Sequence, residues 1–283
     1  MYLVKLLSRL PFAVLYSISN FLFFISYYVV RYRRKMVRKN IRLSFPEKGE
    51  TELDAIEMGF YRNLCDYAVE TLKLLTITKE ELVSRMKYLN PELLDLHTRA
   101  GTSVIILSSH QFNWEWLLVS GSLSIEAPLD FVYQPVQNSF FDTLMLHARS
   151  RFGTYPVKRN EVARELIKRR AVVRGIAIVA DQYPGHGQDK KYSTVFLNQD
   201  TVFFNGSQQM ASMTQYPVLY TQVKKVKRGY YTCQFIVVAE PPYDKDSDRV
   251  VENYARIVER TIQSHPDGWL WSHNRWKTRH LKK

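Results

Sequence analysis

The chain has 283 residues, 46% of them hydrophobic, and 40 Lys and Arg against 27 Asp and Glu give a formal charge of +13. That length supports one large core, with or without a short accessory segment, and the charge calls for an anionic partner: nucleic acid, an acidic lipid surface or an acidic protein. Cys65 and Cys233 have neither metal-ligand nor disulfide-framework spacing, and the seven His residues show no His-Glu-x-x-His pattern, so two thiols in a reducing compartment and no metal site are expected.

Leu10 to Val30 is a run of 21 residues without a charge. As a helix it is about 32 Å long, enough for a hydrocarbon core of about 30 Å. Ser17, Ser19, Asn20 and Ser26 dilute it, and Tyr16, Tyr27 and Tyr28 favour an interfacial position. No small-residue cleavage site follows, which argues against a signal peptide. Residues 31–42 then hold seven basic residues (Arg31, Arg33, Arg34, Lys35, Arg38, Lys39, Arg42) and no acid. The positive-inside tendency puts this side in the cytoplasm, and each such residue near an anionic surface adds on the order of 1 kcal/mol. The alternative is a buried pair of core helices with a solvated basic cap. Nucleic-acid binding would need basic residues interleaved with stacking aromatics over a folded face. Here the densest cluster abuts the apolar run, so a membrane surface is the simpler partner. Residues 1–45 are read as anchor and basic stretch, and 46–283 as one domain.

Further along, a helix over 51–75 opens with Glu52 and Asp54 against its dipole. A second helix covers 79–88. Then strands and helices alternate: strand 103–108, helix 111–123, strand 130–134, helix 138–151, strand 154–157, helix 160–170, strand 175–180. A loop over 183–193 precedes a helix at 205–214. The runs 217–226 and 230–239 pair as a hairpin through Lys227-Arg228-Gly229, and a helix over 246–264 follows. The alternation predicts an α/β fold with a mainly parallel mixed sheet flanked by helices. Sites in such sheets lie at the carboxyl ends of strands. His110 and the pair Asp181-Gln182 each follow a strand, so they are expected to open on one crevice.

His110 and Glu115 carry the sharpest chemistry, because a base with a carboxylate orienter can deprotonate a hydroxyl and make it a nucleophile. Five residues along a helix leave two side chains roughly 140° apart. The pair meets only if His110 sits in the turn and Glu115 one turn into the helix; otherwise His110 is a cap or a core residue. Asn113 lies between them and is a candidate for substrate binding. Asn138 stands where an N-cap would. Arg149 and Arg151 suit bidentate contact with phosphate or carboxylate, or the C-terminus of a helix. Asp181-Gln182 either binds substrate, fixes His110 or marks a turn. Asn205 begins a helix of small and flexible residues fit to wall an acyl groove or simply to pack. The five tryptophans fall in two groups, Trp114 and Trp116 beside His110, and Trp269, Trp271 and Trp276 near the end. No Gly-x-Ser-x-Gly elbow and no Gly-rich phosphate loop occurs.

Taken in order, Arg38-Lys-Asn-Ile-Arg-Leu-Ser-Phe-Pro-Glu47, His110 to Glu115, Val132-Tyr-Gln-Pro-Val-Gln-Asn138, Arg149-Ser-Arg-Phe-Gly153, Ala180-Asp-Gln182, Val195-Phe-Leu, Phe203-Phe-Asn-Gly206 and Trp269-Leu-Trp-Ser-His-Asn-Arg-Trp-Lys-Thr-Arg279 resemble the bacterial lipid A biosynthesis acyltransferases. These are the late lauroyl and myristoyl transferases of the wider lysophospholipid acyltransferase superfamily. The resemblance covers nearly the whole chain; its ending is the specific part. It implies a glycerol-3-phosphate acyltransferase-like fold, and an enzyme that moves a fatty acyl chain from acyl carrier protein to a hydroxyl of a lipid acceptor on the cytoplasmic face of the inner membrane. It implies His110 as general base, Glu115 as its orienter, Arg149 and Arg151 as site residues and Asp181 as support. No cofactor is implied, since acyl carrier protein or coenzyme A thioester is the donor substrate. Acyl carrier protein, the lipid acceptor and the anionic membrane are the implied partners. The loop after Asp181, Gln-Tyr-Pro-Gly-His-Gly, differs among members, and relatives acylate mannosylated inositol lipids and amino-acid lipids, so the acceptor stays open. The rival of a different class is a membrane-surface binding protein that kept the fold and lost catalysis.

Overall fold

A sheet whose central strands are apolar on both faces carries the architecture. The computed structural model describes residues 2–185, 190–244 and 246–277. In chain order these form α1 (Tyr2–Ser8), α2 (Phe12–Phe24) prolonged by a π-helical turn over Ile25–Val29, α3 (Arg34–Ser44), α4 (Glu50–Lys73), α5 (Lys79–Arg85), β1 (Met86–Tyr88), α6 (Glu92–Arg99), β2 (Val104–Ser108), α7 (Trp114–Ser124) and β3 (Leu129–Tyr133). They continue as α8 (Ser139–Arg149), β4 (Tyr155–Lys158), α9 (Val162–Lys168), β5 (Gly175–Val179), β6 (Lys191–Phe196), β7 (Gln199–Phe204), α10 (Gly206–Thr214), β8 (Val218–Lys227), β9 (Tyr230–Ala239) and α11 (Arg249–Ser264). Residues 186–189 of the expected 183–193 loop, and 278–279 of the closing motif, lie outside the described residues.

Seven strands run in the order β1-β9-β8-β2-β5-β3-β4. All neighbours are parallel except β8 and β9, the expected hairpin. Every residue of β2 is buried, as a strand covered by helices on both faces requires. On one face pack α11 and the C-terminal tryptophans; on the other packs α7. The expected α/β sheet is therefore the observed one.

Four parts were not legible. The expected helix over 79–88 ends at Arg85, and Met86–Tyr88 instead form β1 against β9. Helix α3 buries Val37, Asn40, Ile41 and Ser44, a proper helical stripe, but two of its four members are polar and hide it. The short α6 has only Leu94 and Asp95 buried. The β6–β7 ribbon turns on Leu197 and Asn198, both with positive φ (50° and 59°). Leucine in such a two-residue turn gives none of the usual Asn-Gly signal.

The apolar N-terminal run is one helix, long enough to cross a membrane over Phe12–Val29. One flank docks on α4: Leu15 and Ser19 are buried, Ser19 donates to Asp66 at 2.7 Å, Tyr16 donates to Glu70 at 3.0 Å, and Lys73 donates to the Leu10 carbonyl at 2.9 Å. Arg228, from the β8–β9 turn, chelates Asp66 and lies over the Tyr16 ring. The other flank leaves Val14, Phe21, Leu22 and Phe24 exposed, and Leu3, Leu6 and Leu7 of α1 are exposed as well.

Candidate active site

Parallel register brings the site together. Ser108 at the end of β2 lies opposite Val179 at the end of β5, so His110 and Asp181, each two residues further on, fall side by side. The turn between β2 and α7 is held against the C-terminal segment. Phe112 donates its N–H to the Gly268 carbonyl at 2.8 Å, Leu270 donates to the His110 carbonyl at 3.0 Å, and Gln111 bridges to Trp269. Phe112 adopts φ of 51°, a strained conformation for an aromatic residue that this pairing sustains. Gly268 is required there, because a Cβ would stand 2.5 Å from the Phe112 ring.

Asp181 is buried and accepts three hydrogen bonds: from the His110 N–H at 2.9 Å, from His110 Nδ1 at 2.6 Å and from Trp269 Nε1 at 2.7 Å. Burial works against its charge, but the neighbouring imidazole and these donors win and hold the carboxyl down at about 2. An ionised Asp181 fixes the tautomer: Nδ1 carries the proton and Nε2 presents a lone pair. That lone pair meets the Gln182 amide nitrogen at 3.2 Å.

The expected contact between His110 and Glu115 is not formed. Helix α7 starts only at Trp114, capped by Asn113, whose side chain accepts from the Trp116 N–H. Glu115 therefore stands in the first turn, where it takes a bidentate pair from Arg149 at the end of α8, with Nε to Oε2 at 2.7 Å and Nη2 to Oε1 at 2.6 Å. Tyr67 of α4 lies at 3.5 Å from the same carboxylate and stacks on Trp114, which in turn meets the His110 ring edge-on at 5.0 Å. Among the described residues, Arg149 Nη1 has no hydrogen-bond partner. Burial lowers the basicity of Arg149, and the Glu115 carboxylate more than restores it.

His110, Glu115, Arg149 and Gln182 all line one cavity of about 430 Å³. Its polar groups sit where α7 begins and the strands end. Behind them Leu117 and Leu118 of α7, with Ile125 just past its end, face Ile106, Leu129 and Phe131 of the sheet. The cavity thus runs back along α7, a helix of about 16 Å, from a polar mouth to an apolar interior with Tyr88 and Phe235 in its lining.

Of the other candidates, Asn113 is fully buried and spans from the cap to Glu70, donating at 2.7 Å. Asn138 is exposed and caps α8 through the Phe140 and Phe141 N–H groups. Arg151 donates to the Leu74 carbonyl. Asn205 is buried and donates to Asp248 at 2.6 Å. These four are not in the cavity lining; the contacts they make are caps and braces.

Two contributors escaped the sequence reading. Trp269 orients Asp181, and His273 accepts the Tyr183 N–H at 3.2 Å. Burial, reinforced by Arg275, Lys277 and His110, pushes His273 down to about 4 against the pull of Asp181, so its lone pair is available to accept. The grouped tryptophans and the closing motif that holds both residues were the hints of this wall.

The family model described as bacterial lipid A biosynthesis acyltransferase matches residues 1–278. The chain is 24% identical over 277 residues to a lipid A biosynthesis palmitoleoyltransferase of Escherichia coli (strain K12), covering 96% of this chain and 87% of the relative. It is equally similar to a lipid A biosynthesis acyltransferase of Shigella flexneri. It is 22% identical over 278 residues to a lipid A biosynthesis lauroyltransferase of Escherichia coli (strain K12), covering 97% and 89% of the two chains.

Proposed function

The chain belongs to the bacterial lipid A biosynthesis acyltransferases, and from that premise we propose that it transfers a fatty acyl chain from the thioester of acyl carrier protein to a hydroxyl of a lipid A precursor. The observation that carries this reading is the His110–Asp181 pair at the polar mouth of an apolar cavity. The acyl chain lies between α7 and the sheet, with its thioester carbonyl at the mouth. His110 Nε2 takes the proton of the acceptor hydroxyl as its oxygen attacks that carbonyl. Asp181 stays ionised and stabilises the imidazolium that forms. The negative charge of the tetrahedral intermediate meets the N-terminus of α7 and Arg149, which Glu115 holds in place. Collapse expels the thiolate, which takes the proton back from His110 Nε2. The thioester supplies the activated acyl group, so no resident cofactor is needed, and no acyl-enzyme forms.

The exposed apolar flank of α1 and α2, followed by the exposed Arg31, Lys35 and Lys39, supports attachment to the cytoplasmic face of the inner membrane, while Arg34, Arg38 and Arg42 pair with acids of α4. The +13 charge suits two acidic partners, the carrier protein and the phosphorylated lipid.

The test uses purified full-length protein in detergent micelles, with an acyl carrier protein or coenzyme A thioester and either a lipid A precursor or a glycerolipid acceptor. Mass spectrometry is expected to find one acyl group added to the lipid A precursor, fastest from the carrier protein. Acylation of the glycerolipid alone would reassign the acceptor, preference for coenzyme A would reassign the donor, and absence of any thioester turnover would mean a binding protein.

A further inference from the structure

The base of this site is already occupied. With Nδ1 committed to Asp181, the lone pair at Nε2 is the only place where His110 can accept a proton, and the Gln182 amide nitrogen sits 3.2 Å from it. A neutral amide has hydrogens on its nitrogen and none on its oxygen, so Gln182 donates to that lone pair. An acceptor hydroxyl, or water, needs the same lone pair.

The backbone around Gln182 is fastened on both sides. Asp181 is tied by His110 and Trp269, the Tyr183 N–H is tied to His273, and Pro184 follows with its φ fixed. The side chain between them is not fastened. Among the described residues its only hydrogen bond is the one to Nε2, and at 3.2 Å that bond is long. The segment therefore holds an amide against the base by one weak, releasable contact on a rigid mount. Removing it takes rotation of one half-exposed side chain and no movement of the loop.

We propose that Gln182 is a gate on the base: it fills the His110 lone pair while a thioester waits in the cavity, keeping water from being activated there, and the acceptor hydroxyl displaces it. The inference rests on acyl transfer being the reaction of this site. Without the gate, water donates its proton to His110 Nε2 and its oxygen attacks the thioester carbonyl. The products are then free fatty acid and the thiol, with the same proton path as in transfer. Excluding such a side reaction is a recognised task of an active site.

The experiment measures, for full-length protein in micelles, free-thiol release from the acyl thioester without acceptor and acyl-lipid formation with it. Cys65 and Cys233 are buried, so thiol detection reads the donor. For Gln182→Ala the ratio of hydrolysis to transfer is expected to rise about tenfold or more, and the extra hydrolysis is expected to vanish in the His110→Ala/Gln182→Ala double variant. A merely structural role would lower both rates together. The gate is refuted if the ratio stays within about twofold of wild type, or if the extra hydrolysis survives loss of His110. Gln182→Asn, whose shorter amide does not reach Nε2, serves as the second variant if Gln182→Ala does not accumulate. If wild-type protein transfers no acyl group at all, the acyl-transfer reading has failed rather than the gate.

Discussion

Asp181 and Glu115 are both buried carboxylates, Glu115 in the lining of the cavity and Asp181 behind His110, each bonded to a basic side chain, yet they are built for different tasks. Asp181 touches a group that gains and loses a proton, and its three donors come from one imidazole, one backbone N–H and one indole. Glu115 touches a guanidinium that stays charged, through a two-point fork. The first arrangement follows a proton. The second holds a fixed positive charge in position. Proximity in sequence would give His110 to Glu115; proximity between adjacent parallel strands gives it to Asp181.

The largest expected effects test that assignment. His110→Ala removes the base, and Asp181→Asn keeps the shape while putting an amide against Nδ1. Both are expected to lower kcat by about 10³–10⁴, read by acyl transfer to the lipid acceptor. Glu115→Gln is expected to have the smaller effect; a loss larger than that of Asp181→Asn would mean that Glu115, and not Asp181, governs the imidazole. Acid stability offers an independent readout. The Asp181 carboxyl is lowered from 3.8 to about 2 in the folded protein. It therefore contributes stability that is complete above pH 3.8 and is lost as pH falls through about 2, on the order of 2 kcal/mol. Acid titration of the unfolding free energy should show that loss in wild type and lack it in Asp181→Asn.

Next in size is the fork. Glu115→Ala strands Arg149 in a partly buried place with no counter-charge, and the expected loss of stability is about 2–3 kcal/mol, less than for a fully buried pair because the guanidinium keeps some solvent. The double variant Glu115→Gln/Arg149→Met should recover most of that loss in denaturant melts while activity stays about 10²-fold down. A Glu115→Ala protein as stable as wild type would erase the distinction between the two carboxylates.

How much of this was readable beforehand follows the same division between near and far. The alternation of strands and helices, the β8–β9 hairpin and the crevice shared by His110 and Gln182 were all visible, because each depends on local pattern plus the rule that sites gather at strand ends. The orienter was visible only as one of three roles open to Asp181-Gln182, behind the nearer Glu115. His110 and Glu115 lie five positions apart, and nothing in a single sequence says that strand β5 is the neighbour of β2. Asn113 reads as a polar residue between two catalytic candidates, but N-caps are polar for a backbone reason and this one is wholly internal. Trp269 stood out as one of a group and as the start of the closing motif, but its role did not, since an indole donating to a carboxylate 88 residues away leaves no periodic trace.

A third carboxylate sharpens the comparison further. Glu70 of α4 is fully buried and bonded by Asn113, Tyr16 and Tyr231, all neutral donors, with no cation paired to it among the described residues. Burial is the dominant influence, with the Asp66 charge adding to it, and together they override those donors to push the carboxyl up from 4.5 to about 7. Its sign is opposite to that of Asp181. Between pH 4.5 and about 7 the folded protein keeps a proton that the unfolded chain has released, so stability falls as pH rises through that window, by roughly 3 kcal/mol in all, and levels off above it. Glu70→Gln keeps a neutral side chain of the same shape at every pH and should flatten this slope. Melting temperatures of the two proteins are expected to converge near pH 5 and to separate near pH 8, with the glutamine form the more stable there. Parallel curves would mean that three neutral donors hold a buried carboxylate ionised as well as an imidazole does, and that the partner's charge is not what separates Asp181 from the rest.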